Sequence, residues 1–290
     1  MPLMTDPELL KKMLLPNVQI IAENLPQGWE EAVKCCWEFG AKIKTQYDRP
    51  DDPASRDVAL NLTILNPFAE PRIHRDMPGG FEALEMYRRE VLDGVHDSWI
   101  DPEAGKWQYT YHERIYNYTV PGIPDPINQI EAVINQLCSA THSGRAQAVI
   151  WKPWEDASID DLACLQSLWF RILDDKLVMR CRMRSNDAWK AAFMNMYVFT
   201  DLQRNVAEEI SRRLDRKIEV GQYDHVADSF HIYGSYFKDF TGRFLQNLET
   251  RTFEQRTFRT NDSQIANIME DASETVKAKL AHEREEYLKK

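Results

Sequence analysis

From Lys176 to Arg184 the chain alternates without a break, with Leu177, Met179, Cys181 and Met183 on one parity and Val178, Arg180, Arg182 and Arg184 on the other. Successive side chains of a strand point to opposite faces, so this stretch reads as a strand with one apolar face, and Arg184 stands at its end. A second apolar run, Cys164-Leu165-Gln166-Ser167-Leu168-Trp169-Phe170, precedes it. The polar turn Leu173-Asp174-Asp175-Lys176 lets the two runs lie antiparallel as a hairpin. That hairpin brings Cys164 near Arg184. A guanidinium beside a thiol favours the thiolate, the form that attacks carbon, and it also holds a phosphate through two parallel hydrogen bonds. A nucleophile facing an anion clamp is the expectation that follows.

Other segments show the periods of both helix and strand. Trp29, Ala32, Val33, Cys36 and Trp37 have helical spacing that ends at Gly40, while Val58, Leu60, Leu62 and Ile64 alternate as a strand. Between Pro78-Gly79-Gly80 and Gly94, Phe81 to Leu92 reads as a helix on which Glu82 and Glu85 are solvated positions. Ile127, Ile130, Val133, Ile134 and Leu137 form one helical stripe; Ala191, Met194, Val198, Leu202, Val206 and Ile210 mark what reads as the longest helix. Residues 263–290 close the chain as a charged surface helix. Strands mixed with helices, without regular βαβ alternation, predict an α+β fold.

Composition narrows the function classes. With 290 residues, 43% of them hydrophobic, and no Gly/Ser-rich linker, residues 1–290 are expected to form a single domain. A formal net charge of −10 excludes a general nucleic-acid or anionic-membrane binder but allows an anionic small substrate where arginines cluster. The five cysteines and the opening Met1-Pro2-Leu3-Met4-Thr5-Asp6 predict a cytoplasmic, reducing setting, and no apolar run approaches the ~18 residues of a membrane span. Cys35, Cys36, Cys138 and Cys181 read as small buried hydrophobes, and no His/Cys spacing predicts a metal.

The remaining chemistry lies in register around the hairpin. Arg145 comes nineteen positions before Cys164 and leads into Ala148-Val149-Ile150-Trp151; Asn195 comes eleven after Arg184; His231-Ile232-Tyr233 follows later. Over roughly Glu90 to Tyr233 this register resembles the thymidylate synthase family, with its sister pyrimidine nucleotide hydroxymethylases. The resemblance implies a thymidylate synthase-like α+β fold, a mixed sheet flanked by helices, and a homodimer with shared active sites. It implies transfer of a one-carbon unit from 5,10-methylenetetrahydrofolate, without a metal, to C5 of a pyrimidine nucleoside monophosphate. Cys164 is then the nucleophile that adds at C6, because C5 is a poor nucleophile until a thiolate makes it enolate-like. Glu90, in Arg88-Arg89-Glu90-Val91-Leu92, matches the acid/base carboxyl group, and Tyr111, or as second choice Tyr109, the tyrosine that helps remove the C5 proton.

The same resemblance implies that Arg184 and Ser185 bind phosphate together with Arg145 of the partner subunit. Arg49 and Arg56 both lie near the family's flexible phosphate loop, and the choice between them stays open. Asn195 matches the reader of the base; a primary amide donates to O4 and accepts from N3–H, which suits uracil. His231 and Tyr233 match positions on the sugar 3'-hydroxyl, Lys152 a position facing the nucleotide, and Asp187 and Trp99 positions on the pterin. Gly144 stands where the family has a neighbouring arginine, and Leu165 and Trp169 replace a histidine and a glutamine, changes expected to alter the pocket wall. Charged Glu285-Glu286-Tyr287-Leu288-Lys289-Lys290 stands where family methylases carry an apolar tail over the folate. Reductive methylation of dUMP to dTMP is the first expectation. Hydroxymethylation of dUMP, UMP or a cytidylate is the second, and a non-catalytic nucleotide- or RNA-binding protein on the same fold is the third.

Overall fold

The computed structural model describes residues 5–288. In chain order its main elements are strand β1 (Asn17–Ala22), helix α1 (Leu25–Phe39), β2 (Ala41–Ile43), β3 (Ser55–Ile64), α2 (Gly80–Asp93), α3 (Tyr111–Tyr116), α4 (Gln129–Ser139) and β4 (Ala146–Val149). They continue with β5 (Leu165–Leu173), β6 (Lys176–Met183), β7 (Asn186–Asp187), α5 (Ala192–Leu214), β8 (Glu219–Ile232) and α6 (Ser263–Leu288). The expected hairpin is β5 and β6. Asp174 and Asp175 join them at φ of 48° and 58°, left-handed values that Asp tolerates and that match the twist of the flanking strands. Leu177, Met179, Cys181 and Met183 are buried and Arg180 and Arg182 exposed, as the alternation requires.

One mixed sheet of eight strands runs in the order β1-β3-β8-β6-β5-β4, with β2 beside β3 and β7 beside β8. The β1–β3 and β8–β6 pairs are parallel; β3–β8, β6–β5 and β5–β4 are antiparallel. Helix α1 begins at Asn24, whose side chain accepts from the Gln27 N–H at 3.1 Å, and ends where Gly40 donates to the Cys36 carbonyl. It buries Trp29, Ala32, Val33 and Cys36. Trp29 stacks on Trp189 at 5.8 Å, meets Phe193 and Phe244 edge-on, and donates its indole N–H to the Ala188 carbonyl at 2.9 Å. This aromatic cluster ties α1 to the start of α5 on one face of the sheet. The other face carries polar or half-exposed side chains, among them Asn61, Thr63, Gln147, Trp169, Arg182 and Asp228.

Several local expectations are corrected. Ile127 is exposed at the end of a short strand (Ile123–Ile127), because Pro126 has no N–H for a helix and Asn128 caps α4, accepting from the Glu131 N–H at 2.9 Å. Cys138 is only half-buried. Glu85 is not a solvated position: α6 lies against α2, and Glu85 is held there by Arg88, Arg89 and Ser273. The longest helix is α6, with 26 residues against 23 in α5. Lys289 and Lys290, at the end of the expected closing helix, lie outside the described residues.

At the end of β8, Gly234 lets the loop before β3 come close. A Cβ on Gly234 would lie 1.8 Å from the Pro53 carbonyl oxygen, and its N–H donates to Ser55 Oγ at 3.0 Å. Backbone cannot swing away as a side-chain tip can. Gly234→Ala should therefore cost about 2–3 kcal/mol of stability, read as a lower denaturation midpoint at unchanged m-value. A loss under about 0.5 kcal/mol would show that the loop retreats freely.

Candidate active site

A cavity of about 500 Å³ opens where the parallel strands β6 and β8 end and β5 begins. Its floor includes Cys164, Met183 and the run Ser185-Asn186-Asp187, with His231 and Tyr233 from the end of β8. Tyr87 and Glu90 enter from α2, Asn195 from α5, Lys106 to Thr110 from the segment before α3, and Tyr111 from its first turn. Eight of the expected residues thus converge here: Glu90, Tyr111, Cys164, Ser185, Asp187, Asn195, His231 and Tyr233.

Cys164 immediately precedes β5, and the hairpin register lets its carbonyl accept from the Arg184 N–H at 2.8 Å. The Arg184 guanidinium is pinned beside it, Nε donating to the Ala163 carbonyl at 3.0 Å and Nη2 to the Leu162 carbonyl at 2.6 Å. Proximity alone predicts a thiolate, but the larger effect wins. Burial raises the Cys164 pKa; Arg184 opposes this and Asp161 adds to it, so the free protein holds a thiol. Tyr109 and Tyr111 flank the sulfur as neutral phenols, their pKa values raised by burial, and Tyr111 Oη accepts from the Leu165 N–H at 3.2 Å.

Two polar side chains have their orientation fixed from behind. Tyr87, kept protonated by burial, donates to Asn195 Oδ1 at 2.5 Å, leaving the Asn195 amide N–H groups as donors. Asp57, across the ladder from His231, accepts from Ser229 Oγ at 2.9 Å, and Ser229 Oγ lies 3.1 Å from His231 Nδ1. With its proton committed to Asp57, the serine oxygen receives Nδ1–H. His231 Nε2 is then a lone pair, and it is buried without a partner. Burial, aided by Arg184, lowers the His231 pKa to about 4, so the ring is neutral.

At the opposite wall His96 Nδ1 lies 3.2 Å from Glu90 Oε2, and the far side of the ring meets Glu283 of α6 at 3.7 Å. The bond to Glu90 raises the His96 pKa, with Glu283 adding to it. Asp187 Oδ1 accepts from the N–H groups of Trp189 and Lys190 at 3.0 and 2.8 Å, yet burial outweighs these bonds and lifts its pKa to about 6.

The other expected residues lie elsewhere. Lys152 is fully buried away from the cavity, donating to Glu113 and Thr119 at 2.8 Å each in a cluster with Arg114, Glu155 and Asp156. A buried ammonium needs such partners, and Glu113 and Thr119 come from sequence positions more than thirty residues away. Trp99 stacks on His96 at 4.2 Å behind the wall, and Trp107 is the tryptophan that lines the cavity. Leu165 is core, and Trp169 is on the other face of the sheet, donating to the Gly144 carbonyl at 2.9 Å, so neither alters the pocket wall. Arg145 is exposed on the parity of Gln147 and Val149, pointing to that same face. Arg49 is exposed on a loop whose Tyr47 packs edge-on against Tyr233 at 6.0 Å. Arg56 sits over Trp37 at 5.5 Å.

Sequence reasoning passed over Tyr87, Asn186 and Trp107. A signal existed for Tyr87, which is three positions before Glu90 and so shares its helix face.

The fold class is that of the thymidylate synthases: thermostable thymidylate synthase A from Bacillus subtilis superposes with a TM-score of 0.59 at 16% identity, covering 77% of this chain and 84% of that one. The thymidylate synthase family model matches residues 85–283. A protein of Methanocaldococcus jannaschii named "Putative thymidylate synthase" is 30% identical over 215 residues, covering 72% of this chain and 88% of its own; one of the same name from Methanosarcina mazei is 28% identical over 214, covering 74% and 88%. The chain belongs to the thymidylate synthase family.

The histidines give a pH test. An unfolded imidazole takes a proton near pH 6.5. His231, held near 4, and His225, held by burial near 3, refuse that proton when folded, so their contribution to stability falls as pH drops from about 6.5 toward 4. His96 runs the other way: its contribution is present below about 6.5 and is lost as pH rises through its raised folded value. In an NMR titration the His231 ring signals should stay constant from about pH 8 to 5 while those of His96 titrate above the ordinary value. Titration of His231 near pH 6.5 would disprove that burial holds the ring neutral.

Proposed function

We propose that this cavity transfers the methylene carbon of 5,10-methylenetetrahydrofolate to C5 of a uridine monophosphate, with dUMP to dTMP as the first reading. The observation that carries it is the convergence of the Cys164 sulfur with the oriented Asn195 amide and the unpartnered His231 nitrogen on one cavity. The Cys164 sulfur adds to C6 of the pyrimidine, and the C5–C6 electron pair moves toward C5 and O4. Donors at O4 favour that charge, and Tyr87 leaves the Asn195 N–H groups free for it. Net burial keeps the thiol protonated at rest, so attack requires the proton to leave as the substrate seats.

The His231 lone pair suits a sugar O–H, with Tyr233 beside it at 4.6 Å between ring centres. Ser185 and the Nη1 donor of Arg184 serve the phosphate, joined by Arg145 of the partner subunit and by Arg49 from its adjacent loop. The position of Arg145 supports this: it faces away from its own cavity, on the sheet face through which a homodimer would form. Glu90, coupled to His96, is the acid/base group, and neutral Tyr111 and Tyr109 guide the C5 proton through hydrogen bonds rather than as phenolates.

Folate, as co-substrate, brings the one-carbon unit and a hydride. Asp187 fits the N–H edge of a pterin, since a carboxyl group accepts there, and Trp107 supplies a flat wall in place of Trp99. One observation favours the second reading, hydroxymethylation. Among the described residues none after Tyr233 lines the cavity. Orientation of two bound reactants is worth several kcal/mol, about enough to outweigh an unpositioned water, and methylation stays first.

Cys164→Ala should lower turnover at least about a thousand-fold while nucleotide affinity changes less than about tenfold. The parent should form a covalent adduct with 5-fluoro-dUMP and folate, seen by mass, that the variant lacks. With dUMP, dihydrofolate appearing in step with dTMP establishes the methylase; tetrahydrofolate with a product heavier than dTMP by one oxygen establishes the hydroxymethylase. No turnover of dUMP, UMP, dCMP or CMP would defeat the enzyme reading. Arg145→Ala should also be inactive, and mixing it in equal amount with Cys164→Ala chains should restore about a quarter of parental activity, since about half the dimers are then heterodimers with one intact site each. Verified subunit exchange without restoration would exclude a shared site.

A further inference from the structure

We infer that Asn186 is a further nucleotide-binding residue, donating its side-chain N–H to an acceptor oxygen of the substrate in an orientation imposed by the buried pair Tyr223 and His225. The inference rests on the uridylate reading for its ligand and on the structure alone for its geometry. Tyr223 and His225 share one parity of β8, and the parallel register sets Cys181 of β6 directly beside His225. Cys181, Tyr223 and His225 are fully buried, and Asn186 is 3% exposed. The Cys181 thiol neighbours the Tyr223 hydroxyl. That hydroxyl is 2.8 Å from His225 Nδ1, and His225 Nε2 is 2.8 Å from Asn186 Oδ1.

Proton counting gives the chain a direction. Burial holds His225 neutral, so the ring has one N–H and one lone pair. The phenol has one proton, which goes to the better acceptor, and an imidazole nitrogen is a far stronger acceptor than a thiol sulfur. Tyr223 O–H therefore donates to Nδ1, and Nε2–H to Asn186 Oδ1. The amide is thereby fixed with its N–H groups outward. They have no acceptor among the described residues, and Asn186 lines the cavity between Ser185 and Asp187. A residue kept only to satisfy His225 would have no reason to end in a cavity with unused donors. Asn195 presents the same group, so the cavity offers two oriented amide donors, which suits a 2,4-dioxo pyrimidine better than a 4-amino one.

The test uses the full-length protein with dUMP as the probe. Calorimetric affinity should fall about tenfold in Asn186→Ala. Tyr223→Phe removes the O–H that fixes the tautomer and should weaken binding about fivefold in the parent but less than about twofold in the Asn186→Ala background. Additive losses would overturn the relay, since a merely structural tyrosine costs the same in both backgrounds. Nitrogen-15 shifts of His225 in the ligand-free parent give a reading that needs no variant: a protonated Nε2 with bare Nδ1 supports the relay, and a protonated Nδ1 overturns it. If the parent binds no dUMP, the uridylate reading falls, and with it the nucleotide as the acceptor, whatever the tautomer shows.

Discussion

Strand β8 has partners on both sides, and the site depends on that. It runs antiparallel to β3 along one edge and parallel to β6 along the other, while its last residues also take β7. Its register against β3 shifts between Ala227 and Phe230, and that irregularity re-aims the end of the strand. Because β6 and β8 are parallel, their carboxyl ends lie side by side. Ser185, Asn186 and Asp187 therefore meet His231 and Tyr233 across one opening, and the hairpin returns Cys164 to the same place.

Burial governs the chemistry of that opening more than charge does. Cys164, Tyr87, Tyr109, Tyr111, His225 and His231 are all pushed toward their neutral forms by desolvation. A neutral polar group in a dry site costs free energy unless it is hydrogen-bonded, and Tyr87, Tyr111, His225 and His231 are each tied to a neighbour. Tyr87 orients Asn195, Ser229 orients His231, and His225 orients Asn186. The site is a set of aimed donors and acceptors rather than a cluster of charges. Other charges are paired away from it, as with Lys152 and Glu113.

Much of the constellation was legible because it lies on short, regular pieces of chain. Cys164, Ser185 and Asp187 are set by one hairpin, whose alternation and turn are local properties, and Asn195 follows within the next helix. Lys152 and Trp99 were misplaced for a common reason. Which of two nearby side chains faces a cavity depends on what packs behind it. Glu113 and Thr119 draw Lys152 inward, and His96 holds Trp99 behind the wall while Trp107 comes forward. Tyr87 and the Tyr223–His225 pair were passed over because their partners, Asn195 and Asn186, are remote in sequence.

By itself the sequence determined the hairpin, the apolar faces of the strands and main helices, and the residue types available for covalent attack and anion binding. Periodicity and turn chemistry act over a few residues, so they survive without knowledge of the fold. The tertiary structure alone decided that β6 and β8 run parallel, which side chains share the cavity, and how each is protonated. Those outcomes depend on long-range pairing and on loss of water, and neither exists until the sheet has closed.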